Sequence, residues 1–403
     1  MELFWLEHKK LWRKKIVKIC VLLCFVYCVI FGSILSFQWF CFGSSDDYTS
    51  AFGNNFDGYT VIKDSQEYAL SFGGELTDET LQKIVSDYQQ MEADGMGEEL
   101  EKTDWQIVNS WLGTLYPELR DTSNYKTMIS YVDPDKLTGF YERRQQVLDE
   151  FLEVSGQVGA EKEFLHQIER KVEKPFRYEW VEGWSTLLGS MVADLGVVMA
   201  LFLGIVLSSL FAGEWHDNTS TLVLTTRNGW GKIALAKILT GLAFTVELFA
   251  LLAVSSVISQ LFFMGTARWD MPIQNIKLIA VAPMNMLQAE IYEYAFVLLG
   301  AIGFAGIVMF ISAAVKNNVL TLLLSLAVVY GPMMIAEYLP YGMQKALDLI
   351  PLVGSSTDIF RTNTFRILGK LIWSPYLLIT IPVLIGILCM PFAIKSWSRR
   401  MKA

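Results

Sequence analysis

Six long apolar runs constrain this chain more than any other feature of its sequence. They cover residues 19–42, 187–210, 233–263, 294–315, 319–338 and 375–394. A helix needs about 20 apolar residues to cross a bilayer, and every run reaches that length. Charged residues make up 18% of the chain, against about 25% in a typical soluble protein, and the deficit falls within the runs. The pattern predicts an all-α membrane protein with six transmembrane helices.

Basic residues between the runs predict how the chain lies across the membrane. Residues 1–18, 211–232, 316–318 and 395–403 all contain Lys or Arg. Short loops rich in these residues stay on the cytosolic side. An even number of spans then places both termini in the cytosol. The first of these segments is predicted to be an amphipathic helix on the inner membrane surface, and the last is a basic tail.

The longest polar segment, residues 43–182, predicts an extracellular domain between the first two spans. It is long enough to fold independently. Up to Val181 it carries 28 Asp and Glu against 13 Lys and Arg. Apolar residues at helical spacing predict helices over residues 76–93, 141–156 and 159–174. We expect a mostly helical domain, with an α+β fold as the alternative because residues 58–72 suit a pair of strands.

Two further segments, residues 264–293 and 339–374, mix apolar residues with Pro and Gly and contain no clean span. They are predicted to form short amphipathic or partly re-entrant helices at the outer membrane interface. Trp269 and Trp373 suit headgroup depth there, because Trp is enriched at both membrane interfaces. Each segment then either caps a substrate path or acts as a lid without substrate contact.

The sequence lacks the motifs of common catalytic sites. It has no GxxxxGK[ST] phosphate loop, no HExxH zinc pair and no GxSxG nucleophile turn. The three histidines, His8, His166 and His216, fall on both predicted sides of the membrane and cannot form one site. We therefore predict no catalytic residue, no metal site and no cofactor held by this chain.

Two carboxylates lie within the predicted spans, Asp194 in the second and Glu247 in the third. An acidic residue at membrane depth costs about 2.5–3.5 kcal/mol on insertion scales, so it is a functional candidate by default. Both are candidates for a translocation path; the alternative is a protonated or hydrogen-bonded packing residue. Gly300, Gly303 and Gly306 in the fourth run predict close helix packing.

The polar stretch between the second and third runs, residues 211–232, is far longer than a simple connector needs to be. With the basic N-terminal helix and the final order of outer segment, last span and basic tail, it resembles the permease subunits of ABC-2 type ABC transporters. The family pattern F-x-x-E…G-T-x-x-x-L-L…K-x-x-x-A-K is matched by Phe211, Glu214, Thr219, Leu222, Leu224, Lys232, Ala236 and Lys237. Asn218 and Arg227 depart from it, and the large domain after the first span is not universal in the family.

This resemblance implies a transporter subunit without its own nucleotide-binding site. Such permeases pair with a second copy or a homologue and bind a dimer of cytosolic ATPase subunits, which hold ATP and Mg²⁺. The expected activity is export of a peptide, lipid or drug-like substrate, with no nucleic acid involved. A bacterial plasma membrane is the expected location, and the absence of Cys from residues 43–182 favours a Gram-positive cell.

The resemblance also implies that the ATPase docks on the loop from Glu214 to Lys237, with residues 214–224 as a coupling helix. The side chains expected at the docking surface are Glu214, Trp215, His216, Asp217, Thr219, Leu222 and Arg227. Trp215 and Leu222 offer apolar anchors, and the charged members set the register at the rim. The alternative is a solvated interfacial loop without a partner.

Two other functions are alternatives. In the first, a non-transport signalling or cell-wall regulator passes ATPase motion to its extracellular domain, as four-span permeases with large outer domains do. Six predicted spans argue against it. In the second, a membrane enzyme uses Asp194 and Glu247, but the sequence lacks a nucleophile or metal set to accompany them.

Overall fold

The computed structural model describes residues 2–41, 73–95, 105–121, 126–179, 181–188, 192–216, 231–265, 267–353 and 362–399. This part of the chain is mostly helical. Its helices are α1 (Glu2–Arg13), α2 (Lys15–Cys41), α3 (Asp78–Ala93), α4 (Trp105–Leu115), α5 (Phe140–Val154), α6 (Ala160–Glu169), α7 (Glu182–Thr186), α8 (Val192–His216), α9 (Lys232–Met264), α10 (Met286–Ala314), α11 (Asn318–Ile335), α12 (Tyr341–Leu347) and α13 (Ser374–Arg399). Its strands form two antiparallel pairs. β1 (Gly74–Leu76) pairs with β2 (Phe176–Tyr178), and β3 (Thr364–Ile367) pairs with β4 (Lys370–Trp373).

Among the described residues, five helices are long and apolar enough to cross a membrane: α8, α9, α10, α11 and α13. They overlap the second to sixth predicted spans, so the chain has the character of a multi-pass, all-α membrane protein. The first predicted span, residues 19–42, overlaps α2, a helix of 27 residues that is not among the five. A sixth crossing and the N-in, C-in orientation remain predictions.

Helix α10 lies at the centre of the bundle, against α8, α9, α11 and α13. Its contact with α13 is backbone to backbone: a Cβ atom at Gly306 would collide with the Gly386 carbonyl, and one at Gly303 with the carbonyl of Pro382. Small residues let two helices approach this closely. The close packing predicted for the glycines of this helix is therefore confirmed.

The start of α10 corrects a predicted boundary. The fourth span was placed from residue 294, but the helix begins at Met286. Asn285 accepts a hydrogen bond from the backbone of Gln288, whose side chain accepts one from the backbone of Asn285, and this reciprocal pair defines a helix start. Because the first two turns carry Glu290 and Glu293, their polarity made them look like part of a loop.

The N-terminal helix is present but packs differently from a helix lying alone on a surface. α1 ends at Arg13, and α2 begins at Lys15 after a one-residue break. α1 packs along the first half of α9, and Leu11 is buried against the bundle. On α2, the buried face that meets the bundle includes Val17, Cys20 and Cys24.

The polar segment between α2 and α8 contains the helices that its periodicity predicts. α3 starts after Thr77, whose hydroxyl accepts a hydrogen bond from the Thr80 backbone and caps the helix. α5 and α6 are separated at the predicted glycine break, residues 156–159. Leu81, Val85 and other apolar side chains of this segment form a core of their own. The strand pair expected over residues 58–72 lies outside the described residues.

Residues 264–293 do not form the amphipathic interfacial helices predicted for them. Before α10 this segment is irregular, with a single 3₁₀ turn at Ile273–Asn275 among its described residues. Its apolar residues, including Met271 and Val281, are fully buried against Leu148 and Leu165 of α5 and α6. These residues pack on α5 and α6. A pattern of apolar residues predicts burial, but it does not distinguish packing against protein from contact with lipid.

Where they are described, residues 339–374 form one short helix and a hairpin in place of the short amphipathic or partly re-entrant helices predicted for them. β3 and β4 are joined by Leu368 and Gly369, which both have positive φ angles, 50° and 80°. Positive φ at both central residues is typical of the two-residue type I′ turn. Trp373, expected at headgroup depth, is 4% exposed and packs in the core beside Met271, whereas Trp269 is half exposed.

Candidate functional site

A buried ionic network joins the end of α8 to the start of α9. The Lys237 ammonium lies 2.9 Å from Glu214 Oε1 and 2.8 Å from Glu7 Oε2. Lys10 donates a second hydrogen bond to Glu214 Oε1 at 2.6 Å. Glu214 is 4% exposed and Lys237 is 2% exposed. One buried carboxylate and one buried ammonium thus connect three helices, α1, α8 and α9.

Because its central charges are buried, this network has a strong effect on the stability of the fold. An unpaired charge in a protein interior costs several kcal/mol, and that cost is offset only when partners surround the ion. A cavity of about 30 Å³, large enough for one water, lies among Glu7, Lys10, Lys14, Glu214 and Lys237. The hydroxyl of a further neighbour, Ser209, accepts a hydrogen bond from Lys14 at 3.0 Å. The end of α1 is therefore held to α8 by polar contacts.

The network corrects the expected role of Glu214. The sequence predicted an exposed rim charge that contacts an ATPase, but the carboxylate faces inward and is satisfied by two lysines of this chain. The reason is that α8 continues as a helix to His216, which turns Glu214 toward α1 and α9. Glu214 can therefore shape a docking surface only through the helices that it joins.

Trp215 lies beside this network at the same end of the bundle. Its ring packs edge-on against Trp397 at 6.0 Å between centroids, and the Lys316 ammonium lies 4.5 Å from its centroid. Its Nε1 atom is buried without a hydrogen-bond partner among the described residues. Trp215 therefore anchors α8 to the end of α13 in this conformation.

The remaining docking candidates are largely beyond the described part of the chain. α8 ends at His216, whose side chain is outside that part, as are Asp217, Thr219, Leu222 and Arg227 in full. Asp194 lies in the first turn of α8, and its side chain is likewise outside the described part. For all of these residues the docking and path roles stay predictions.

Glu247, the other intramembrane candidate, is bound by the N-terminal helix. Its carboxylate accepts a hydrogen bond from Trp12 Nε1 at 3.0 Å and lies 3.1 Å from His8 Nε2. The Trp12 ring packs edge-on against Phe244, one turn earlier on α9. The Glu247 side chain is 42% exposed. The contacts favour the hydrogen-bonded packing role, in which Glu247 fixes α1 along α9.

A buried polar cluster near the other end of α9 and α10 escaped the sequence analysis. The hydroxyls of Ser256 and Tyr294 lie 2.8 Å apart and join the two helices. Glu290 and Glu293 are buried on the first turns of α10, and Gln260 is buried one turn beyond Ser256. The spacing of Glu290, Glu293 and Tyr294 at i, i+3 and i+4 is the signal that identifies one helix face.

A second structural joint lies where the polar domain meets the α9–α10 connection. Arg144 of α5 is fully buried and donates to Glu169 of α6 at 2.6 Å, to Leu278 O at 2.7 Å and to Ala280 O at 3.1 Å. Lys174 lies 2.8 Å from the same Glu169 oxygen. Every donor position of a guanidinium has a fixed direction, so Arg144 fixes the connection against two domain helices at once.

No group of three His, Cys, Asp or Glu side chains suited to a metal ion is present among the described residues. The chain was compared with family models, with curated proteins and with solved structures, and none of the three comparisons gave a match.

Proposed function

We propose that this chain is the permease subunit of an ABC transporter and exports a peptide, lipid or drug-like substrate. It would work in a bacterial plasma membrane, paired with a second copy or a homologue. A dimer of cytosolic ATPase subunits would bind ATP and Mg²⁺ and dock on the loop between α8 and α9. Support comes from the apolar helices, the N-terminal basic helix and the family pattern that runs from Phe211 to Lys237.

The observation that carries the proposal is the pairing of Glu214 with Lys237. These residues are the Glu and the last Lys of the family pattern, and they flank the loop on α8 and α9. A salt bridge at the base of the loop makes both helices respond together to a force on it. Lys10 and Glu7 extend this unit to α1. A salt bridge between the two helices at the ends of the loop is more useful in a loop that transmits motion than in a loop that only connects two helices.

A path for that motion continues from α8 into the central helix. The Ser312 hydroxyl of α10 donates to Ser208 O at 2.7 Å and accepts from the backbone N–H groups of Phe211 and Ala212. One buried hydroxyl thus contacts three residues of the last turns of α8. Because α10 is packed backbone to backbone on α13, a displacement of α8 would be passed to both helices.

The test is association with an ATPase encoded next to this chain. The two proteins should co-purify in detergent, and the permease should alter the ATPase rate. Leu222→Asp and Arg227→Glu should weaken both effects about tenfold or more, as expected for loss of an interface anchor. Arg170→Glu, the same charge reversal on the exposed residue that follows α6, is the matched control. Wild-type co-purification without any effect of either loop variant would contradict the docking assignment.

A signalling role is the second candidate, because Arg144 binds the domain to the α9–α10 connection. The Trp184 indole N–H also donates to Ala267 O at 2.7 Å and adds a contact between α7 and that connection. Motion of α9 would then reach the domain directly. ATP-dependent changes in hydrogen exchange within α5 and α6, without uptake of peptide or lipid probes into inverted vesicles, would favour signalling over export.

A further inference from the structure

The basic residues of α1 and of the start of α2 fall into two groups. Lys10 donates to Glu214 Oε1 and Lys14 donates to the Ser209 hydroxyl, so these two lysines belong to the ionic network of the bundle. The other four are exposed and have no ion pair within the described part of the chain: Lys9, Arg13, Lys15 and Lys18. This division depends on which sides of α1 and α2 meet the bundle, and it leaves one group of cations free to bind an external anion.

Lys15 and Lys18 stand at the beginning of an exposed apolar stripe on α2. Leu22 and Val29 lie on the same side of the helix as the two lysines, because positions i, i+3, i+7 and i+14 of an α-helix fall within about 60° of one another. Between residues 19 and 30 every exposed side chain of α2 is apolar: Ile19, Leu22, Leu23, Phe25, Val26, Val29 and Ile30. The opposite side of α2 is buried against the bundle.

The stripe has the length of one lipid leaflet. From Ile19 to Ile30 the helix rises about 17 Å, at 1.5 Å per residue. Half of the hydrocarbon core of a bilayer is about 15 Å thick. α2 also packs along α9, which is apolar enough to span a membrane, so the stripe faces the same surroundings as α9. An acyl chain along the stripe would therefore place its headgroup at the level of Lys18.

The charges at this end of the stripe favour an anionic headgroup. Each Lys or Arg near an anionic membrane surface raises affinity about fivefold. A zwitterionic headgroup has no net charge and gains much less from two ammonium groups. The acidic residues of α1 do not cancel these cations, because Glu7 is paired with Lys237 and Glu2 is the only other one on that helix.

The outer face of α1 has matching chemistry. Trp5, Lys9 and Arg13 recur every four residues on the exposed side of the helix, and Leu6 is exposed beside Trp5. A helix that presents Trp and Leu next to basic residues lies in the headgroup region of a membrane, where apolar burial and attraction to anionic lipids act together. α1 thus has the bundle on its inner side and a surface suited to lipid headgroups on its outer side.

We propose that the start of α2 binds an anionic phospholipid such as phosphatidylglycerol. The headgroup phosphate would accept hydrogen bonds from Lys15 and Lys18, and one acyl chain would lie on Leu22 and Val29. The exposed apolar side chains next to the lysines favour a lipid over a soluble anion, which would gain nothing from them. This site requires neither an ATPase nor transport, so it does not rest on the proposed function.

The test is native mass spectrometry of the full-length chain in detergent, titrated with dioleoyl phosphatidylglycerol or dioleoyl phosphatidylcholine. Wild type should bind phosphatidylglycerol about twentyfold more tightly, from about fivefold for each lysine. Lys15→Gln combined with Lys18→Gln should bring the two affinities close together, whereas the corresponding pair of Arg substitutions keeps both charges and should keep the preference. Lys83→Gln with Lys277→Gln, which removes two exposed lysines elsewhere, is the matched control.

A preference for phosphatidylglycerol that the Gln pair loses, and that the Arg pair and the control keep, supports the proposal. Equal affinity of wild type for the two lipids, or an unchanged preference in the Gln pair, overturns it. Complete displacement of phosphatidylglycerol by glycerol 3-phosphate would show that the lysines bind a free phosphate and would also overturn it. Neither ATP hydrolysis nor substrate uptake enters these measurements, so their outcome is separate from that of the proposed function.

Discussion

Lys237 Nζ lies 2.9 Å from Glu214 Oε1, and both side chains are almost completely buried. The two residues are on successive helices, at the ends of a loop that leaves α8 and returns as α9. We expect Lys237→Met to destabilise the folded chain by about 3 kcal/mol, because Glu214 and Glu7 lose the ion between them. Thermal unfolding in detergent measures this loss.

Two variants check that interpretation. Lys232→Met removes an exposed lysine from the same helix and should leave the unfolding temperature nearly unchanged. The double variant Glu214→Gln, Lys237→Met should lose less than the sum of its single variants, by about 0.5–3 kcal/mol of coupling. Strict additivity would mean that the pair contributes no mutual stabilisation.

Docking of α1 along α9 should depend on the Trp12 and His8 contacts with Glu247. Trp12→Phe keeps an aromatic ring against Phe244 but removes the indole N–H, and Glu247→Leu removes both contacts. Both should increase trypsin cleavage at Lys9 and in the rest of α1, because a released helix is more accessible. Trp5→Phe, at a residue that is 61% exposed, is the control. Unchanged cleavage in the Glu247 variant would show that this contact does not hold α1.

The close approach of α10 to α13 predicts a strong effect of one methyl group. Gly306→Ala places a Cβ atom against the Gly386 backbone, where no side chain can rotate away. Overpacking of this kind costs about 1–3 kcal/mol, and the helices must separate to relieve it. Gly331→Ala, in a helix position with no atom within 4 Å of the new Cβ, should be neutral or slightly stabilising. Equal unfolding temperatures would contradict the predicted contact.

Arg144 should be the most sensitive residue of the polar domain. Arg144→Met leaves Glu169 buried with only Lys174 beside it and removes the Arg144 donor from Leu278 O, while Ala280 O keeps its hydrogen bond from Gln274. We expect a loss of about 3–5 kcal/mol, the cost of removing one partner from a buried pair. Hydrogen exchange should rise in α5 and in the 278–280 backbone. Arg170→Met, in which an arginine that is 67% exposed is replaced, should change neither measurement.

The same cluster predicts how stability depends on pH. Burial by itself opposes ionisation of Glu169, but hydrogen bonds from Lys174 and Arg144 outweigh it and lower its pKa below the usual 4.5. A carboxylate with a lowered folded-state pKa stabilises the fold above its unfolded pKa and loses that contribution as pH falls through the folded value. Stability should therefore be flat from neutral pH to about 5 and fall below about 4.5. Glu169→Gln should be less stable at neutral pH and show a shallower acid transition by circular dichroism.

Much of the helical framework follows from local sequence. An apolar run of twenty or more residues has few folded alternatives in a membrane, because its backbone groups must bond to one another. The ends of the helices in the polar segment are also set locally. Thr77 caps the start of α3, and the glycine break at residues 156–159 separates α5 from α6. The start of α10 was missed because Glu290 and Glu293 resemble loop residues until the neighbours that bury them are known.

The candidate site was only partly predictable for a related reason. The sequence singled out Glu247 because acidic residues within apolar runs are unusual, and Glu214 because it lies on the pattern of the family that the chain resembles. It could not identify their partners, since Lys10 and Glu214 are 204 positions apart and Trp12 and Glu247 are 235 positions apart.

By itself the sequence determined that the chain carries long apolar helices, a long polar segment with shorter helices and a basic N-terminal helix, because hydropathy, periodicity and helix caps act within a few turns. Only the tertiary structure decided that Glu214 faces inward to Lys237, that Glu247 holds α1, and that residues 264–293 cover the domain. Burial and pairing depend on contacts between residues far apart along the chain. The energy of a charge in such a place is set by the partners that the fold brings to it.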